Sequence, residues 1–169
     1  MTKQLGSIVL LVALMAVIAG VSALDLPKRK SGLWDIKTRT SANRPVQTIQ
    51  MCIDQKTDNM AKQMFESRAR EACSEQQTRR EGNKIVGDSV CKIGESIATS
   101  HTVLSFDFDR AYHGEIRTKF SPPLMGKSEN LTLIDAKWTG PCQADQKPGD
   151  MIMPNGLKIN IHEMQQQQQ

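Results

Sequence analysis

The chain has 169 residues and a formal net charge of +4, from 22 Lys and Arg against 18 Asp and Glu. So slight a basic excess, with only four Phe, two Trp and one Tyr, excludes a nucleic-acid binder that stacks bases on an aromatic platform within a positive field. Its length is that of one ordinary domain.

The first element is a sorting signal. Lys3 is the only charge before Asp25, the run from Ser7 to Ala19 is apolar, and Gly20 precedes the small-residue exit Val21-Ser22-Ala23. That is the layout of a cleavable secretory signal at residues 1–23. An uncleaved anchor over Leu5–Leu24 is the competing reading, because the stretch is long enough to span a bilayer. Gly20 weakens that helix, and Lys28-Arg29-Lys30 would lie on the wrong side for the positive-inside bias. Cleavage leaves 146 residues (169 − 23) with a charge of +3 (+4 − 1). The product is expected in the periplasm or secreted, with peripheral or no membrane contact. Residues 24–30 read as a mobile leader, with Lys28-Arg29-Lys30 solvated.

All four cysteines, Cys52, Cys73, Cys91 and Cys142, follow the signal. Their intervals of 21, 18 and 51 residues contain no close ligand pair, which argues against zinc and against a thioredoxin-like redox pair. Four cysteines allow three disulfide pairings, and of these Cys73–Cys91 with Cys52–Cys142 is favoured.

Gly32–Thr40 and Val46–Ile53 alternate in period two, and Ser41-Ala42-Asn43-Arg44-Pro45 supplies the turn of a hairpin. From Thr57 to Ala72 the period changes. Met60, Met64, Phe65, Ala69 and Ala72 recur at helical spacing, which predicts one amphipathic helix leading into Cys73. Strands follow at Lys84–Ile93, with Gly87-Asp88 as a bulge or bend, at Ser96–Phe108 and at Tyr112–Phe120. A loop at Ser121-Pro122-Pro123 and Gly126 precedes the strand Asn130–Trp138. Asp145–Gly149 reads as loop and Gly156–Ile161 as a short edge strand. Residues 31–163 thus form one disulfide-stapled domain, and the Gln-rich tail at 164–169 is expected to be disordered. The fold class is α+β, mainly β: a curved antiparallel sheet with one inserted helix, compatible with partial closure into a barrel.

The order of Gly32-Leu33-Trp34-Asp35-Ile36, Gln50-Met51-Cys52-Ile53, Cys73, Cys91 and Gly140-Pro141-Cys142 resembles the bacterial domain-of-unknown-function 3617 family, over roughly Ser31 to Cys142. That family typically has Glu where this chain has Asp35. The extension after Cys142 is longer than the family pattern needs. The resemblance implies an exported protein of this architecture, and it brings no activity and no catalytic residues.

Chemical candidates are few. His101, His113 and His162 are the only histidines, and none has a second ligand at metal-binding spacing. Asp107 and Asp109 alternate with Phe106 and Phe108, an arrangement open to Ca²⁺ or acid–base use but equally that of a polar strand face. No serine sits in a nucleophile elbow. No cofactor or metal is expected. The leading expectation is a non-enzymatic envelope protein that binds a small apolar ligand against Trp34, Ile36, Leu104, Phe106 and Phe108, or that serves envelope maintenance. A docking module for another envelope protein, using a strand edge or the Met60/Met64 helix face, is the alternative. A hydrolase using Asp107 or Asp109 with His101 is the third.

Overall fold

The computed structural model describes residues 28–40, 45–55, 58, 72–107 and 109–166. The signal segment 1–23, nearly all of the helix expected at Thr57–Ala72, and Phe108 lie outside them. Nine strands form one antiparallel sheet: β1 (Gly32–Thr40), β2 (Gln47–Ile53), β3 (Cys73–Glu81), β4 (Lys84–Ile93), β5 (Ser96–Asp107), β6 (Ala111–Leu124), β7 (Lys127–Gly140), β8 (Asp150–Ile152) and β9 (Lys158–Asn160). They lie in the order β3-β4-β5-β6-β7-β1-β2-β8-β9, and β3 does not meet β9, so the sheet is open. One short helix, α1 (Ile161–Gln166), follows β9 and reaches into the Gln-rich segment.

The alternating sequences produce two unlike faces. Trp34, Ile36, Met51, Ile53, Ile85, Leu104, Phe106, Tyr112 and Ala136 form the core on one side, with Ile49, Ile134, Trp138 and Ile161 packed at its margin. Trp34 and Leu104 are 0% and 1% exposed. Tyr112 sits between Trp34 and Phe106, with ring centroids 5.8 and 5.7 Å away at tilted angles that suit aromatic quadrupoles.

One strand was not foreseen and two expectations are corrected. Cys73–Glu81 is a strand, although its sequence CSEQQTRRE offers no apolar alternation; it lies at the sheet edge, where both faces are wet. Gly87-Asp88 makes no bulge, because β4 pairs without a register shift to β5 on one side, and on the β3 side the shift falls at Cys73/Glu75. Pro122 and Pro123 do not end β6, which runs on to Leu124 across an irregular register. Beyond Ser121 β6 has left β5, and on the other side its pairing with β7 is interrupted between Lys119 and Leu124, so both prolines sit outside the regular ladder.

Two disulfides join the sheet, Cys73–Cys91 directly across β3 and β4, and Cys52–Cys142 between β2 and the end of β7. Their sequence separations are 18 and 90 residues, so the second constrains far more of the unfolded chain. Paired cysteines of this kind suit an oxidising, extracytoplasmic compartment. No helix among the described residues is long and apolar enough to cross a membrane.

At the entrance to β1, Gly32 has φ +134°, and a Cβ there would stand 2.3 Å from the Gly140 carbonyl oxygen and 2.4 Å from Trp138 Nε1. The Trp138 indole donates to the Ser31 carbonyl at 3.1 Å, and Trp34 donates to the Lys30 carbonyl at 2.9 Å. The Lys30 ammonium lies 3.9 Å from the centre of the Trp138 ring, a cation–π contact. Gly32→Ala is therefore expected to cost about 3 kcal/mol, from overpacking and a backbone angle L-residues avoid, measurable by denaturant unfolding.

The solvated reading of Lys28-Arg29-Lys30 fails at Arg29, which is 3% exposed. Its backbone N–H and Nε donate to Asp58 Oδ2 at 2.8 and 3.1 Å, and Nη2 donates to Oδ1 at 2.7 Å. Its guanidinium carbon also lies 5.8 Å from the centre of the Tyr112 ring. Burial opposes the Arg29 charge, but the hydrogen bond to Asp58 together with the electrostatic pull of Tyr112 and Asp58 outweighs it and holds the guanidinium above its ordinary pKa. Burial pushes the Tyr112 hydroxyl up against the opposing pull of Arg29, so it stays protonated. Asp58→Ala, which strands this cation, is expected to cost about 3–5 kcal/mol. Arg29→Met with Asp58→Leu should recover most of that, and a double mutant no more stable than Asp58→Ala would refute the account.

Candidate functional site

Among the described residues, the core side of the sheet is closely packed. Trp34, Ile36, Leu104 and Phe106, the residues expected to line an apolar ligand, all belong to the buried cluster. The void beside Met51, Ile53, Arg29 and Asp58 is about 10 Å³, no more than one water's worth of space. Roomier concavities lie elsewhere: two over the opposite, polar face, and a smaller one of about 410 Å³ among Asp145, Lys147, Lys158 and Glu163 at the C-terminal segment.

The first is a groove of about 530 Å³ over β1, β5, β6 and β7, bordered by Asp35, Lys37, Asp107, His113, Asp135 and Lys137, and the intervening Phe106, Tyr112 and Ala136 also contribute to its lining. Strand register sets its pattern. Lys37 lies across from Asp135, Asp135 from His113, and His113 from Ser105. One row along, Asp35 lies across from Lys137, and Gln50 Nε2 extends that row by donating to Asp35 Oδ1 at 2.9 Å. Opposite charges thus alternate both along and across the strands. His113 Nδ1 meets Asp135 Oδ1 at 2.8 Å, with both side chains more than half exposed.

The second groove, about 540 Å³, lies over β3–β6 with Gln77, Asp88, His101 and Arg117 in one cross-strand row. Asp88 is its hub. Its Oδ1 is 2.6 Å from His101 Nδ1, and its Oδ2 accepts from Arg79 Nη1 at 2.9 Å. The hydrogen bond to His101, then that to Arg79, holds the Asp88 carboxyl below its usual range. All three side chains are about half exposed, so the pairs are screened and contribute little to stability.

The structure separates the sequence candidates for chemistry. His101 and Asp107 share the polar face of β5 but stand six residues apart, about 20 Å along the strand. Asp109 lies in the exposed turn after it. His162 is on α1 against Gly149, remote from the other two histidines. Among the described residues no group of three His, Cys, Asp or Glu side chains is placed to hold a metal ion. Ser105 faces His113 across the ladder, yet no hydrogen bond joins them.

Sequence reasoning missed Arg29–Asp58, Arg79–Asp88 and His113–Asp135. The latter two were legible only through register, and the Gly82-Asn83 turn, which implies a strand on each side, was the available signal for β3.

A depressed carboxyl pKa means that the Asp88 contribution is present above the ordinary carboxylate range, near pH 4, and is lost as pH falls through the lower folded value. Carboxyl NMR titration is expected to show Asp88 shifting back toward that range in His101→Ala and, to a lesser extent, in Arg79→Ala. An unmoved titration in His101→Ala would contradict the hydrogen bond.

No curated protein and no solved structure matches this chain. A family model, described as a protein of unknown function (DUF3617), does match, from residue 29 to residue 142. The match runs from the buried Arg29, through the Gly32-Leu33-Trp34 entrance and both grooves, to Cys142, well over half of the sequence, and this chain belongs to the DUF3617 family.

Proposed function

We propose that this is a non-enzymatic, exported domain of the bacterial periplasm that serves the envelope by binding through the polar face of its sheet. The observation that carries this reading is the division between the faces: the apolar side chains described pack into one core, while the two largest grooves are bordered by charged side chains of both signs. A ligand or protein segment presenting charges of both signs would match the alternating rows Lys37–Asp135–His113 and Asp35–Lys137.

Docking by strand addition is less well supported. The β3 edge carries Glu75, Arg79, Arg80 and Glu81, the kind of charged rim that discourages pairing, and β9 at the other edge has only three residues. A hydrolase would need His101 and Asp107 together, and they are about 20 Å apart along β5.

Isotope-labelled protein titrated with periplasmic extract is expected to show amide shifts concentrated around Lys37, His113 and Asp135. Lys37→Glu with Lys137→Glu should leave folding intact and weaken the interaction roughly tenfold. Shifts centred on Leu104 and Phe106 instead would restore the apolar-ligand reading and defeat this one.

A further inference from the structure

The β6–β7 hairpin ends in a feature that neither the core nor the polar grooves employ. Met125 is 94% exposed, against 41–56% for the other exposed large apolar residues. It is also the one non-glycine with positive φ among the described residues, at 51°. Leu124 pairs with Lys127, so Met125-Gly126 is a two-residue turn with positive φ at both central positions, as a type I′ turn requires. Asn-Gly or Asp-Gly is the ordinary solution there. The other two tight hairpins, at Gly82-Asn83 and Gly94-Glu95, put glycine first and avoid the problem. Here a large apolar residue occupies the strained position and points into solvent. Folding alone gives no reason for that choice.

The surroundings of Met125 indicate what would meet it. β6 leaves β5 after Ser121, and β7 meets β1 only from Thr132 onward, so the tip projects about 10 Å past its neighbours. Ile93 and Ile97, both partly exposed, lie at the same end of the sheet. Between Glu115 and Glu129 the chain carries Arg117, Lys119 and Lys127 and no acid. Glu115 holds Arg117, whereas Lys119 and Lys127 enter no ion pair among the described residues. None of the three large grooves is lined by the tip residues 121–129.

We infer that this hairpin is a wedge that docks the domain on an anionic lipid surface, Met125 entering the interface while Lys119 and Lys127 meet the headgroups. A single apolar side chain with two lysines gives weak, reversible attachment and positions the domain without inserting it. The Met125 tip and the first groove, at Lys37, His113 and Asp135, occupy different parts of the sheet, so each can operate while the other is engaged; Lys119 also borders the second groove.

The test is flotation of the folded protein with phosphatidylcholine vesicles, with and without phosphatidylglycerol, for wild type, Met125→Asn, and Lys119→Gln with Lys127→Gln. Wild type is expected to float only with the anionic vesicles. Met125→Asn should lower its partition coefficient about tenfold while raising the melting temperature by about 3 °C, because asparagine suits the turn and does not enter lipid. The double lysine variant should lose binding with its melting temperature unchanged. Lys37→Glu with Lys137→Glu should float as wild type does, which separates this proposal from the polar-face reading. Wild type that stays unbound, that floats equally with neutral vesicles, or whose Met125→Asn variant floats undiminished would overturn the proposal. Self-association abolished by Met125→Asn, without flotation, would assign the tip to a second copy of the chain and likewise overturn it.

Discussion

The pairing of β1 with β7 is the constraint on which the rest of the molecule depends. It brings together segments about a hundred residues apart and joins the β1–β2 hairpin to the meander β3–β7 in one sheet. Everything at that seam is tightly fitted. Gly32 lacks a side chain because the Trp138 ring and the Gly140 carbonyl occupy its space, and Cys52–Cys142 fastens the strands on either side. Loop-closure entropy makes so distant a pairing slow and costly to form. Covalent closure and two tryptophan hydrogen bonds to neighbouring carbonyls offset that cost where it falls.

The seam also decides how the two faces are used. Once β1 lies between β7 and β2, Trp34 and Ile36 join Leu104, Phe106 and Tyr112 on one side, and Arg29 with Asp58 is buried beside Tyr112. The residues between them in sequence, Asp35 and Lys37, necessarily face the other way, toward Lys137 and Asp135. The charged groove and the aromatic core are two consequences of one register. A slip of one residue would exchange them.

Period-two alternation made β1, β2, β5, β6 and β7 legible in the sequence, because each buries one face and wets the other. β3 was illegible for the converse reason, since an edge strand wet on both faces has nothing to alternate. Buried charge was equally hidden. Nothing in Lys28-Arg29-Lys30 distinguishes the middle residue, and only its placement beside Asp58 makes a basic cluster into a buried ion pair. The aromatic and aliphatic residues at 34, 36, 104 and 106 were correctly grouped on one face, yet alternation cannot tell a cavity wall from a filled interior. That depends on how closely the opposing side chains meet.

The segment beyond the family match extends the sheet past β2. β8 pairs with β2, β9 pairs with β8, Asn160 caps α1 by accepting from the His162 and Glu163 amides, and Ile161 reaches the core margin. Without it, Gln47–Ile53 would be the outer strand on that side, with part of its amides and carbonyls unpaired and Ile49, Met51 and Ile53 next to them. Such an edge accepts a strand from any chain that offers one, including the corresponding edge of a sister molecule. Residues 150–160 occupy that place in cis, and two three-residue strands suffice because they leave too short a ladder to template another. The extension thereby covers the part of the β2 edge next to the core, at Gln50 and Met51, with strand from the same chain.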